Sequence, residues 1–390
     1  MTDPLPLSRF RVIDLTRVRS GPTAVRQFAD WGAQVIMVEA KEARSAVTAD
    51  RHSSDFQNLN RNKRSLQLDL KDEAGREVFY RLVRQADVLF ENYRPDVKHR
   101  LGIDFDALHA INPRLVYVSI SGFGQDGPYA KRPGLDQILQ GMGGMMSITG
   151  LPGQGPVRAG IAVADSATGV YAAVGAMTAL LDREVSGKGR WVRTSLLQGQ
   201  IAMLDFQAAR WLVEGEVAGQ AGNDHPTAVP MGLFPTSDGV VNLAASGQAM
   251  FEAFCRTAGA PHLIDDPRFS AKERANHRAE INAELAALTR WRTSAEWIEA
   301  LNAVGVPCGP VYRIDEVFAD PQVEHLNMAR PVTHPKLGEI RLVAQPIDIS
   351  GLDPALRAAA PDPGEHTAEV LAELGYSADE IQAMRARGVV

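Results

Sequence analysis

FRVIDLTRV (residues 10–18), PTAVRQFADWG (22–32) and AQVIMVEA (33–40) follow one another without a break, and their reading decides the fold. The first and third are apolar, β-branched runs that predict strands. The second opens on proline, closes on glycine and reads as a helix. Strand, helix, strand is one βαβ unit. The pattern recurs with a helix over 72–85, the strand DVLFENY (87–93), a helix near 104–111 and the strand RLVYVSISG (114–122). Such alternation predicts an α/β fold with a parallel, doubly wound sheet. Long helical stretches are expected around 163–186 and 192–214. After the polar connector EVAGQAGNDHPTAVP (216–230) come a short strand (239–245) and helices rich in Ala, Glu and Arg to about 303. A strand-like GEIRLVAQPIDIS (338–350) and helices over 364–387 close the chain. The division expected is a large domain from 1–215, a linker at 216–230, a small α+β domain over 231–325, and a return through 326–390 to the large domain.

Composition limits the function. The 390 residues are enough for two or three domains with substantial cores. A hydrophobic content of 45% with 23% charged residues suits a soluble globular protein, and the net charge of −6 is not gathered in a tail, which argues against nucleic acid as a partner. No stretch reaches the roughly 20 apolar residues a bilayer span needs, and MTDPLPLSRF at the start lacks a signal-peptide core. No membrane partner and a cytoplasmic location are expected. Cys255 and Cys308 are the only cysteines and neither sits in a cluster with metal-ligand spacing, so neither a metal nor redox chemistry is expected. The nine histidines are scattered; His52 and His225 read as loop or subunit-contact residues. Trp291 and Trp297, at helical spacing, read as packing. Glu39, at a strand end, reads as a capping or salt-bridge residue before a ribose contact.

GFGQDG (122–127) satisfies GxGxxG after a predicted strand, yet Pro128 to Gly134 continue the loop where a dinucleotide fingerprint must open a helix. A nicotinamide or flavin site is not expected there. Arg61, Lys63 and Arg64 in NLNRNKRSLQLDLK (58–71), and Arg100 and Lys98 after ENYRP (91–95), lie beside predicted strand ends, where ligands of open α/β sheets bind. They read either as phosphate contacts or as a solvated basic surface. In GIAVADSATGVYAAVGAMTALL (160–181), one carboxylate, Asp165, interrupts a run of small and apolar residues. Its possible roles are N-cap of the following helix, partner of a buried arginine, an exposed position, or a nucleophile kept charged by helix-end amides and stripped of water by apolar neighbours.

Matching stretches run in one order through the chain: VIDLTRVRSGP (12–22), WGAQVIMVE (31–39), NLNRNKRSLQLDL (58–70), ENYRP, SGFGQDGPY (121–129), GLDQILQGMGG (134–144), GIAVADSATG (160–169), GNDHPTAVPMGLFPTSDG (222–239), GVPCGPV (305–311) and GEHTAEVLAELGYSADEI (364–381). Through them the chain resembles the family III coenzyme A transferases (CaiB/BaiF type), which include formyl-CoA:oxalate and carnitine CoA-transferases and the related 2-methylacyl-CoA racemases. The resemblance implies an interlocked, ring-like homodimer with a Rossmann-like large domain and a smaller one. It implies CoA and acyl-CoA as substrates, with no permanently bound cofactor. Asp165 falls on the family's nucleophile. Arg61, Lys63, Arg64, Asn92, Tyr93, Arg100 and Lys131 fall in stretches that hold CoA. Gly247 and Gln248, with Ser246, are the counterparts of a loop that covers the intermediates, although LAASGQAMF stands here in place of a glycine run.

The acid pair is less legible. Val18, Arg19 and Ser20 fall where relatives meet the small acid, and a guanidinium at Arg19 suits the second charge of a dicarboxylate or sulfinate-bearing acid. Contact with the CoA pyrophosphate or with the partner subunit is the alternative for Arg19. Arg17 is expected to project the same way if the strand continues. Succinyl-CoA is the expected donor. A racemase would carry histidine before Asp136, where this chain has Leu135. A non-catalytic acyl-CoA-binding protein would have no use for Asp165.

Overall fold

The computed structural model describes residues 4–40 and 50–390; Met1 to Asp3 of the opening stretch lie outside them. The described residues form two compact units, one of 1–145, 158–209 and 322–390, the other of 146–157 and 210–321. The change of unit therefore comes at 209/210, earlier than the connector suggests, and 146–157 joins the second unit. Hydrogen bonds explain that grouping: Gln220 Nε2 donates to the Thr149 carbonyl at 2.7 Å, and the Gly222 amide to the Gly150 carbonyl at 3.1 Å.

The first unit is built on six parallel strands: β1 (Arg11–Asp14), β2 (Gln34–Glu39), β3 (Lys63–Gln67), β4 (Val88–Glu91), β5 (Val116–Ser121) and β6 (Trp191–Ser195). Their order is β3-β2-β1-β4-β5-β6, the arrangement of a Rossmann sheet. Both faces of the central strands are buried, so β1, β2, β4 and β5 are mostly apolar, whereas the edge strands β3 and β6 carry polar and charged residues. Alternate residues serve alternate cores. Ile13, Leu89 and Tyr117 face one cluster, whereas Val12, Phe90 and Val118 face the other. β6 corrects the expected helix over 192–214. WVRTS pairs with β5 before helix begins at Leu196, because its β-branched alternation is completed by the sheet edge.

The second cluster is covered by the Ser20–Asp30 and Val163–Ser186 helices. They approach through small side chains. A methyl group on Gly169 would lie 2.6 Å from the Ser20 carbonyl oxygen, inside van der Waals contact. The first cluster is closed by the chain end: Val370, Leu371, Ile381 and Met384 pack on it, and the Asp69 amide bonds the Val389 carbonyl at 2.8 Å.

The second unit holds an antiparallel sheet of Met231–Pro235, Val240–Ala244 and Cys308–Gly309. Its core includes Phe251, Phe254, Phe269 and Trp297. Trp297 packs on Phe254 and its indole N–H bonds the Thr289 carbonyl at 2.7 Å. Trp291, just past a helix end, is exposed instead and takes no part in that packing.

Among the described residues, the pairs Arg61–Asp30 and Lys63–Asp14 lie wholly inside the first unit, as does Lys98–Glu91. Arg61 bonds both carboxylate oxygens of Asp30, at 3.0 and 2.8 Å, and Lys63 bonds Asp14 at 2.8 Å and Asn60 at 3.0 Å. The ionic side chains of these first two pairs are shut off from solvent. Removing one partner strands the other charge. Asp30→Ala is expected to cost about 3–5 kcal/mol, read as a lower urea midpoint at unchanged slope.

Candidate active site

Asp165 is the third residue of the Val163–Ser186 helix, not its N-cap. Ala162 occupies the cap position and offers no side-chain acceptor. The Asp136 carboxylate fills that gap from the Asp136–Met142 helix, with Oδ1 accepting from the amides of Ala164 at 2.9 Å and Asp165 at 3.3 Å. Asp136 Oδ2 accepts from Gln140 Nε2 at 2.7 Å and lies 3.5 Å from Arg158 Nη2. Gln140 in turn donates to the Ile161 carbonyl and accepts from the Ala159 amide, which ties the turn ahead of Asp165 to the same helix.

The close approach at Gly169 brings Ser20 to Asp165. Ser20 lies beside the Asp165 carboxylate, and its hydroxyl and amide both favour the ionised form. Burial is the largest influence on that carboxyl group and Asp136 adds like-charge repulsion; Ser20 and the Arg19 charge oppose them. Burial and repulsion prevail, and the Asp165 pKa is pushed up from 3.8 to about 6. At neutral pH the group is ionised but poorly hydrated, as a nucleophile should be.

The loop leaving β1 supplies the other walls. Val18 sits at φ 68°, a left-handed conformation strained for a β-branched residue, and half of its surface is exposed. This turn ends the extended run at Asp14, so Arg17 and Arg19 do not share one strand face. Arg19 pairs with Asp55 at 2.9 Å, and both side chains remain partly exposed. Arg17 lies over the Tyr93 ring, 5.7 Å from its centroid. Asn92 at the end of β4 pins the loop through two bonds to the Arg17 backbone, at 3.0 and 2.8 Å. Burial pushes the Tyr93 phenol up, against the Arg17 charge.

The basic residues divide. Arg61 and Lys63 are corrected from phosphate contacts to internal ion-pair residues, because β3 starts at Lys63 and the Asp30 and Asp14 carboxylates consume both charges. Arg64 is held by Glu369 at 2.7 Å and Glu373 at 2.6 Å. Arg100 and Lys131 are exposed. Lys98 is buried, bonded to Glu91, Ser119 and Gln125 of the GFGQDG loop. Glu39 accepts from Ser65 and pairs with Arg51, in line with a salt-bridge role. In the second unit, Gly247 is the N-cap and Gln248 the first residue of the Gln248–Thr257 helix. Among the described residues no group of three His, Cys, Asp or Glu could hold a metal, and no helix is long and apolar enough to cross a membrane.

Asp136, Gln140, Arg158 and Asp55 went unread as site residues. The Asp136/Gln140 pair, four apart on one helix face, is the signal that could have drawn attention to them.

Residues 7–367 match the model of "CoA-transferase family III". The chain is 39% identical to the succinate–glutarate CoA-transferase of Agrobacterium fabrum (strain C58), covering 95% of this chain and 96% of that protein. It is 36% identical to the acetyl-CoA:oxalate CoA-transferase of Acetobacter aceti, over 94% and 95%. Among solved structures, a CaiB/BaiF family protein from Brucella suis superposes with a TM-score of 0.83 at 34% identity, over 95% of this chain and all of that one.

A raised carboxyl pKa favours the folded state below 3.8, the unfolded value, and that benefit is lost as pH rises through about 6. Asp165→Asn is therefore expected to be more stable than the parent at pH 7.5, by about 2 to 3 kcal/mol at most, and no more stable below pH 4. Asp136→Asn keeps an acceptor for the two amides but removes the repulsion. It should lower the Asp165 midpoint, followed by carboxyl NMR titration.

Proposed function

This chain belongs to CoA-transferase family III, and on that premise we propose that it moves CoA from succinyl-CoA to a short dianionic acid through covalent intermediates on Asp165. The observation that carries the reading is the Asp165 carboxylate itself, half-buried at a helix start beside Ser20, with a raised pKa.

Four exchanges complete the transfer, and no net proton is consumed. The Asp165 carboxylate attacks the donor acyl carbonyl and expels CoA thiolate, leaving a mixed anhydride. The thiolate attacks the aspartyl carbonyl and releases the donor acid, leaving an aspartyl thioester. The acceptor carboxylate attacks that thioester and expels thiolate, forming a second anhydride. Thiolate then attacks the acceptor carbonyl and frees Asp165. When the aspartyl carbonyl is attacked its oxygen gains charge, and the nearby Ser20 hydroxyl and amide are the proposed donors that stabilise it. Burial limits the access of water, which would hydrolyse either intermediate.

The relatives' activities, on succinate, glutarate and oxalate, support a dicarboxylate acceptor. Arg19 is the candidate for its distal carboxylate, exchanging Asp55 for the ligand. Val18 and the Ser20 segment line the same loop. Exposed Arg100 and Lys131, with Asn92 and Tyr93 at the end of β4, are proposed to face CoA, its phosphates meeting the two cations. Gly247 and Gln248 are proposed to cover the intermediates. A second copy of this chain is the proposed partner. Its seat would be the Val163–Ser186 helix, where Val170, Tyr171, Val174, Leu181 and Val185 form an exposed apolar stripe.

Incubation with succinyl-CoA in the absence of acceptor should leave a CoA adduct on Asp165 in the intact and peptide masses, and Asp165→Ala should abolish both adduct and transfer. An active Asp165→Ala chain would overturn the reading. Arg19→Gln is expected to raise the glutarate KM roughly tenfold or more, with the succinyl-CoA KM unchanged; equal kinetics would remove Arg19 from the acid site.

A further inference from the structure

Among the described residues, Arg274 is a buried cation without a carboxylate partner. Only 3% of its surface is exposed, and its guanidinium lies 4.7 Å from the centroid of the Phe251 ring in the core of the second unit. Among the described residues Nε and Nη1 have no hydrogen-bond partner. Nη2 has one, the side-chain oxygen of Gln248 at 3.0 Å. A guanidinium in such a place is expensive, since it loses water and gains neither a counter-charge nor a full set of acceptors. An apolar side chain of similar length would pack on Phe251 at less cost. The placement makes sense only through what Nη2 holds.

Gln248 opens the Gln248–Thr257 helix, and its N-cap, Gly247, supplies no side-chain acceptor to that first turn. The Gln248 amide instead bridges Arg274 and Glu252, donating to the Glu252 carboxylate at 3.0 Å, while Glu252 also accepts from Arg256 at 2.7 Å. An amide oxygen grips a guanidinium less firmly than a carboxylate would. The bond can hold the segment and still let it go.

We propose that Arg274 is a positioning residue that latches Gln248, and with it Ser246 and Gly247, through one releasable hydrogen bond kept at the expense of stability. The inference rests on the transferase reading, which gives the 246–248 segment its work over the intermediates.

Arg274→Met removes both the latch and the stranded charge. The variant is expected to melt at or above the parent temperature, to transfer CoA from succinyl-CoA to glutarate roughly tenfold more slowly, and to show faster amide exchange at Gln248–Phe251. Gln248→Ala should slow transfer to a similar degree, and the double variant should be no slower than the slower single one. A residue that merely supported the core would lower the melting temperature, and its loss would multiply with that of Gln248→Ala. Unchanged transfer, multiplying losses, or a chain that melts lower or fails to fold on Arg274→Met would each overturn the latch. Absence of transfer in the parent chain would sink the transferase reading instead, and amide exchange would still decide whether Arg274 holds Gln248.

Discussion

The contact between Gly169 and the Ser20 carbonyl constrains the rest of the candidate site. Two helices that cover one face of the sheet can come this close only where neither presents a side chain, and Gly169 and the alanines that follow it meet that condition. The approach sets Ser20 against Asp165, four residues ahead of Gly169, and so leaves at the helix start a partly desolvated carboxylate whose ionised form Ser20 favours. A larger residue at 169 would separate the helices and return Asp165 to water.

The helix start is unusual in being capped from outside. Asp136 belongs to another helix, yet it takes the two amides that an N-cap side chain normally serves. Its charge opposes ionisation of Asp165 while its geometry fixes the backbone beneath it. The same carboxylate thus holds the site rigid and makes its reactive group harder to ionise. Gln140 and Arg158, which occupy its second oxygen, keep it from turning away.

Charge placement separates scaffold from site. Arg61 and Lys63 spend their charges on Asp30 and Asp14, tying the β3 edge to the end of the Ser20–Asp30 helix and to the end of β1. Arg19 has only a half-exposed partner, Asp55, and Arg100 and Lys131 stay at the surface. Cations that a ligand can recruit differ from those that hold the fold by what already surrounds them, which a string of residue letters does not state. Arg274 belongs to neither group, being buried like the first and uncompensated, and its tie to Gln248 is what sets it apart.

The amino-acid sequence by itself determined the βαβ opening, most of the parallel strands and the body of the Val163–Ser186 helix, because apolar period and Gly or Pro punctuation are local properties. It also singled out Asp165, since a lone carboxylate in an apolar run is visible without a structure. Tertiary structure alone decided that 192–195 is a strand, because that short segment is extended only by pairing with β5. It decided, too, that Asp165 lies inside its helix, that Asp136 caps it and Ser20 stands beside it, and that Arg61 is internal. Those facts depend on contacts between residues 28 to 145 positions apart, and distance along the chain carries no record of which side chains will meet.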